Sequence, residues 1–148
     1  MDKKLIVAFL YNVRHVYPDP NDSRTQLETD FDDPETIEEL THCLQKAGFN
    51  VIPIEANENA YFELKKHKSE IDIAFNYSEG IYGKDRYCHL PAILEILQIP
   101  YTGSSPLTQA LVLNKGKTKE ILIANKIPAH RQTRLTRFFR RHNQQKHC

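Results

Sequence analysis

The chain has 148 residues, of which 40% are hydrophobic and 26% are charged. This length and composition are typical of one globular domain, and no apolar run approaches the roughly 20 residues of a membrane-spanning helix. Three cysteines without a C-x-x-C spacing argue against structural zinc and predict free thiols in a reducing, cytoplasmic compartment.

The net charge of +1 conceals an uneven distribution along the chain. Six of the 20 Lys and Arg residues, but none of the 19 Asp and Glu residues, lie after residue 128. Residues 1–128 therefore carry 14 basic against 19 acidic side chains. We predict that residues 1–128 form an α/β domain and that residues 129–148 form a basic, poorly packed tail.

Strands and helices alternate along residues 1–128. The apolar run Leu5–Leu10 predicts a buried strand, and the polar stretch Tyr11–Phe31 predicts a long loop that is either functional or disordered. Asp33 and Pro34 predict the start of a helix that ends at Gly48. The later predicted elements are strands at 50–55, 71–76 and 98–101, and helices at 61–67 and 90–97, with a last helix that starts near Pro106, breaks at Gly116 and resumes at 118–125.

This alternation predicts the fold class. Parallel strands joined by right-handed helical crossovers give α/β domains with helices packed on the sheet. The sequence therefore predicts a Rossmann-like three-layer α/β domain with a mostly parallel four-stranded sheet.

A loop with two glycines, Tyr77–Asp85, follows the third predicted strand. Glycines allow backbone angles that other residues avoid, and the carboxyl ends of strands in α/β sheets are where ligands usually bind. Gly80 and Gly83 match neither the P-loop spacing nor G-x-G-x-x-G. From the residues alone, a ligand-binding loop and a tight turn without a ligand are both open.

Three segments together resemble a known family. They are Gly80–Asp85 (GIYGKD), Leu94–Ser104 (LEILQIPYTGS), and Leu113-Asn114-Lys115 followed by Thr118-Lys119. This combination resembles the N-terminal domain of the D-alanine–D-alanine ligases, which are ATP-grasp carboxylate–amine ligases. The resemblance covers roughly residues 4 to 128.

The resemblance implies which residues bind ligands. The implied substrate-binding residues are Glu28, Asn76, Ser78, Glu79, Gly80 and Gly83, and the implied nucleotide-binding residue is Lys115, a flexible point charge suited to phosphate. Glu79 stands where many of these ligases have a histidine, so the substrate need not be D-alanine. Plain alternatives are that Glu28 and Lys115 are solvated surface charges. We also predict that Asn76–Gly83 and Lys115 share one edge of the sheet, around a shallow cleft.

The resemblance also implies cofactors and partners. It implies ATP and Mg²⁺, an amino-acid-like substrate and a reaction through an acyl-phosphate. In the family the Mg²⁺ ligands and catalytic groups lie on later domains. We expect this chain to be truncated before those domains, and so to contain no catalytic residue and no metal ligand. We expect the isolated chain to be inactive. A homodimer is compatible with the resemblance, whereas membrane or nucleic acid is not the expected partner.

Two other functions stay open at this point. The domain could be a non-enzymatic module that binds a small ligand, or the basic tail could bind nucleic acid or another anionic surface. The tail could also be a sequence left by a frameshift or a premature truncation.

Overall fold

The computed structural model describes residues 3–129. The chain divides into two compact units, Met1–Leu113 and Asn114–Cys148. The predicted basic tail lies outside the described residues apart from Ala129, and the predicted boundary at residue 128 stays a prediction.

Three parallel strands form the sheet of the first unit. Their order is β2-β1-β3, so the strand that comes first in the sequence lies in the middle. Ile6 pairs with Asn50 on one side, and Val7 pairs with Ile73 on the other. The strands are β1 (Ile6–Tyr11), β2 (Asn50–Glu55) and β3 (Ile73–Asn76).

The fourth strand predicted at Gln98–Tyr101 does not form. Only Tyr101 makes an isolated parallel bridge, with Ala74 of β3. Gln98 ends the preceding helix in the left-handed conformation with φ 56°, and Pro100 has no N–H to donate to a ladder. Within residues 3–129 the sheet therefore has three strands, and the prediction of four was wrong.

Five α-helices surround or follow these strands in the described region. Their bounds are α1 (Pro34–Lys46), α2 (Ala60–His67), α3 (His89–Leu97), α4 (Pro106–Leu113) and α5 (Lys115–Ala124), with short 3-10 turns at Ser23–Glu28 and Arg86–Cys88. None of these helices has both the length and the apolar composition needed to cross a bilayer.

The last of these helices begins after Asn114, and the helix break predicted at Gly116 was wrong. The Asn114 side chain accepts a hydrogen bond from the Lys117 N–H at 3.1 Å and so caps α5. Asparagine is a preferred N-cap because its side chain satisfies a free amide of the first turn. Gly116 lies within that turn instead of ending a helix.

One face of the sheet carries the main hydrophobic cluster. Ala8 and Leu10 of β1 pack there with Leu64 of α2 and with Leu90 and Leu94 of α3. Successive side chains of a strand point to opposite faces, so Val7 and Phe9 point away from this cluster. Phe9 stacks with Phe75 at a centroid distance of 5.7 Å on that second face.

Arg14 makes many of the contacts within the long connection between β1 and α1. The Arg14 guanidinium pairs with the Asp33 carboxylate at 3.0 Å and donates to three backbone carbonyls, those of Glu28, Thr29 and Phe31. The Arg14 N–H also donates to the carbonyl of Asp32 at 2.8 Å. The connection is therefore an organised loop around Arg14.

Candidate functional site

The candidate site lies where the three strands end. The chain leaves β1 toward β2 on one side and later crosses to β3 on the other side. In open α/β sheets such a reversal leaves a crevice outside the carboxyl ends of the strands, where ligands bind. Asn12 follows β1 at this point, and Asn76 ends β3.

Asn12 connects all three strand ends. Its side chain is buried, and its Oδ1 accepts hydrogen bonds from the N–H groups of Glu79 at 2.8 Å and Gly80 at 3.1 Å. Its Nδ2 donates to the carbonyl oxygen of Ala56, directly after β2, at 3.1 Å. Sequence reasoning missed Asn12, because its partners lie 44 to 68 residues away and no local pattern marks them.

Gly80 and Gly83 both adopt positive φ angles, 72° and 95°, as their residue type predicted. A Cβ atom at Gly80 would lie 2.4 Å from the carbonyl oxygen of Arg86, whereas a Cβ at Gly83 would meet nothing within 4 Å. Gly80 is therefore required by both its backbone angle and its close contact, and Gly83 by its angle alone.

The Glu79 carboxyl group lies in a desolvated and negatively charged environment. Burial raises its pKa, and the nearby Asp30 and Asp32 carboxylates raise it further, while the Arg86 guanidinium opposes them. Arg86 is itself paired with Asp30 at 2.9 Å. The Oε2 atom of Glu79 is buried without a hydrogen-bond partner. These surroundings favour the neutral, protonated form of Glu79.

Asn76 and Ser78 shape the start of the glycine loop. The Oδ1 atom of Asn76 accepts hydrogen bonds from the Ser78 hydroxyl at 2.7 Å and from the Ser78 N–H at 3.3 Å. The backbone N–H of Asn76 donates to the Thr102 hydroxyl at 3.1 Å. Both side chains are thus used within the loop in this structure, and their contact with substrate stays a prediction.

Glu28 stabilises the second loop at the strand ends, which is the connection between β1 and α1. Its Oε2 accepts hydrogen bonds from the backbone N–H groups of His15 at 2.6 Å and Val16 at 2.7 Å. The His15 ring contacts the Glu55 carboxylate at 2.8 Å, and this hydrogen bond raises the pKa of His15. Glu28 therefore has a structural role here, and its role toward substrate stays a prediction.

Lys115 lies in the second unit of the chain, as the first residue of α5, and is exposed. Gly80 belongs to the first unit. A shared edge for Lys115 and the glycine loop stays a prediction, as does contact between Lys115 and a nucleotide.

The described residues do not fit a magnesium ion. Within residues 3–129 no group of three or more His, Cys, Asp or Glu side chains is arranged to hold a metal. The Glu79, Asp30 and Asp32 carboxyl groups do not form such a group.

The fold is that of an α/β domain with a glycine loop at the carboxyl ends of its strands. Comparison with known proteins adds a relationship. No family model matches the chain. The D-alanine–D-alanine ligase of Carboxydothermus hydrogenoformans is 41% identical over 93 residues, covering 63% of this chain and 28% of that protein. The D-alanine–D-alanine ligase of Desulforamulus reducens is 39% identical over 92 residues, covering 62% and 28%.

Over about 60% of its length the chain is homologous to D-alanine–D-alanine ligases. It spans little more than a quarter of the length of these curated relatives, which is consistent with their N-terminal domain alone. The crystal structure of the Bacillus anthracis D-alanine–D-alanine ligase complexed with ATP has a TM-score of 0.55 and 23% identity. It covers 90% of this chain and 44% of that one, and the likeness concerns the fold.

Proposed function

We propose that this chain supplies the N-terminal, substrate-side domain of a D-alanine–D-alanine ligase-like enzyme, an ATP-dependent carboxylate–amine ligase. The 41% identity over 93 residues to a D-alanine–D-alanine ligase is the observation that carries the proposal. The chain spans 28% of that relative, so we propose that the 148-residue polypeptide alone does not catalyse ligation.

The proposed task of the domain is to bind and orient an amino-acid-like substrate. The candidate groups lie on the two loops at the strand ends: the carboxyl groups of Glu28 and Glu79, and the loop from Asn76 to Gly83. We place Lys115 toward the nucleotide. ATP, when bound to the complete enzyme, supplies the phosphoryl group that activates a carboxylate for attack by an amine.

Two further attributes belong to this proposal. The three parallel strands, with helices between them in the sequence, support a Rossmann-like three-layer domain. The unpaired Cys43 and Cys88 support a reducing, cytoplasmic location.

Nuclear magnetic resonance of the 15N-labelled 148-residue chain tests the binding step. The chain is titrated with D-alanine, with L-alanine as the stereochemical control, and then with other D-amino acids. We expect saturable shifts of the amides of residues 78–83 with at least one D-amino acid. If every one of these amino acids leaves those amides unmoved, the proposal is wrong.

A second measurement separates a ligase domain from a binding module. A coupled ATPase assay on the chain alone should show no amino-acid-dependent turnover. A chimera that joins the chain to the remaining domains of the Carboxydothermus hydrogenoformans ligase should restore turnover. Saturable binding with an inactive but folded chimera would favour a non-enzymatic module, and steeply salt-dependent nucleic-acid binding would favour the anionic-surface alternative.

A further inference from the structure

Asn12 is the buried polar side chain around which the candidate site is assembled. It is 5% exposed, and its side-chain amide makes three hydrogen bonds to groups at the ends of β2 and β3. A buried amide with satisfied partners resists displacement, because moving one partner leaves a polar group without water or protein to bond to.

The bonds to Asn12 differ from the side-chain hydrogen bonds at the start of the glycine loop. The hydrogen bonds between Asn76 and Ser78 join residues of the same loop. The Glu79 and Gly80 amides, in contrast, both donate to the side chain of Asn12, the residue that follows β1. Asn12 therefore ties the part of the loop that bears Glu79 to the centre of the sheet.

We propose that Asn12 is a positioning residue of the candidate site, which fixes the Glu79 carboxyl group relative to the ends of β1 and β2. The proposal rests on the proposed function only for what Glu79 does with a ligand. The positioning itself is a property of the ligand-free chain.

Titration of Glu79 reports its position. The charged groups that act on it are Asp30, Asp32 and Arg86, and it acts in turn on Tyr77 and Tyr87. If the loop leaves its place, the Glu79 side chain gains water and moves away from the two aspartates. The pKa of Glu79 then falls toward its ordinary value.

The test uses Asn12→Ala, with Asn57→Ala as the matched control. Asn57 lies just after β2, as Asn12 lies just after β1, and its Oδ1 accepts a hydrogen bond from the nearby Asn59 N–H at 2.9 Å. It makes no described contact with the glycine loop. In Asn12→Ala we expect the amides of Glu79 and Gly80 to exchange hydrogen about tenfold faster or more, since two hydrogen bonds are lost. We also expect a lower Glu79 pKa by 13C NMR titration, and neither change in Asn57→Ala.

Asn12→Asp keeps the test decisive if Asn12→Ala does not fold. Aspartate retains the oxygen acceptor for the Glu79 and Gly80 amides but loses the donor to Ala56 and adds a negative charge beside Glu79. The two amides should keep their protection, and the pKa of Glu79 should rise above that of the wild type.

The inference is overturned if Glu79 titrates as in the wild type in the folded Asn12 variants, or if Asn57→Ala changes it equally. Its failure is distinct from failure of the proposed function. If no D-amino acid binds but Asn12→Ala releases Glu79, the function fails and the positioning role stands. If D-alanine binds while the Asn12 variants leave Glu79 unmoved, the function stands and the positioning role fails.

Discussion

Gly80 and Gly83 share a left-handed backbone but differ in what surrounds them. For Gly80, a side chain would meet the backbone of Arg86, which cannot give way as the end of a flexible side chain could. For Gly83, the space is open. The pair therefore separates the effect of the backbone angle from the effect of a steric clash.

We expect Gly80→Ala to destabilise the domain more than Gly83→Ala. The alanine angle penalty alone is about 1–2 kcal/mol, and a clash with fixed backbone adds about 1–3 kcal/mol. Urea unfolding of both variants measures the difference in free energy of unfolding. Equal losses in the two variants would contradict the close contact between Gly80 and Arg86.

Glu79 makes stability depend on pH. Its pKa is raised in the folded state, so the folded chain binds this proton more tightly than the unfolded chain does. The free energy of unfolding therefore falls as pH rises from the pKa of Glu79 in the unfolded chain to its pKa in the folded chain. Above both pKa values the decrease is complete. At neutral pH the residue costs stability, as groups in binding sites often do.

Glu79→Gln should remove this pH dependence while keeping the shape of the side chain. We expect the stability of the variant relative to the wild type to increase from pH 4 to pH 7. The increase should be about 1 kcal/mol or less, because solvent screens a partly exposed group. Urea unfolding at both pH values measures this gain, with the exposed Glu58→Gln as control. A gain that is equal at pH 4 and pH 7 would contradict the electrostatic account.

At the scale of elements, the connection between β1 and α1 depends on Arg14. The planar guanidinium serves several acceptors at once, and lysine cannot reproduce that geometry. Its side chain is 19% exposed, and three of its four hydrogen bonds are partly shielded from water. The loop can therefore stay ordered without a helix or strand of its own over most of its length.

Arg14→Ala should loosen this loop and cost about 2–4 kcal/mol of stability, because four acceptors lose a charged donor and three of these hydrogen bonds are partly buried. Arg14→Lys should lose some stability relative to the wild type, but less than Arg14→Ala. Arg86→Ala, which breaks the pair with the largely exposed Asp30, should cost about 1 kcal/mol or less. Urea unfolding gives the free energies, and thermolysin cleavage on the N-terminal side of the exposed Val16 reports the loop. Unchanged cleavage in Arg14→Ala would show that other contacts hold it.

At the scale of the whole molecule, composition predicts that residues 131–148 contribute little to stability. Their large apolar residues are Leu135, Phe138 and Phe139, against six Lys and Arg residues. A segment with so little to bury gains little from packing. Deleting 131–148 should leave the melting temperature nearly unchanged in differential scanning calorimetry. A large decrease would show that these residues belong to the fold.

The sequence predicted the elements of this molecule better than its site. Local periodicity was enough for β1, α1 and β2, since each has its pattern within a few residues. The fourth strand was predicted from an apolar pattern but does not form. Gln98 adopts a left-handed conformation at the end of a helix, and Pro100 has no N–H to donate to a strand. Asn12 and Arg14 were missed because their roles depend on partners that only the folded chain brings together.

Because β1 lies in the middle of the sheet, it must wait during synthesis until its second partner strand, β3, has been made. The Ile6 N–H bonds to the Asp72 carboxylate, 66 residues later in the chain. At about 5–20 residues per second, the ribosome takes roughly 3–13 s to make that segment. For those seconds the apolar β1 has no β3 beside it. A nascent chain that stalls in this interval presents an unpaired strand to any other nascent chain nearby, so slow codons between β1 and β3 should favour aggregation.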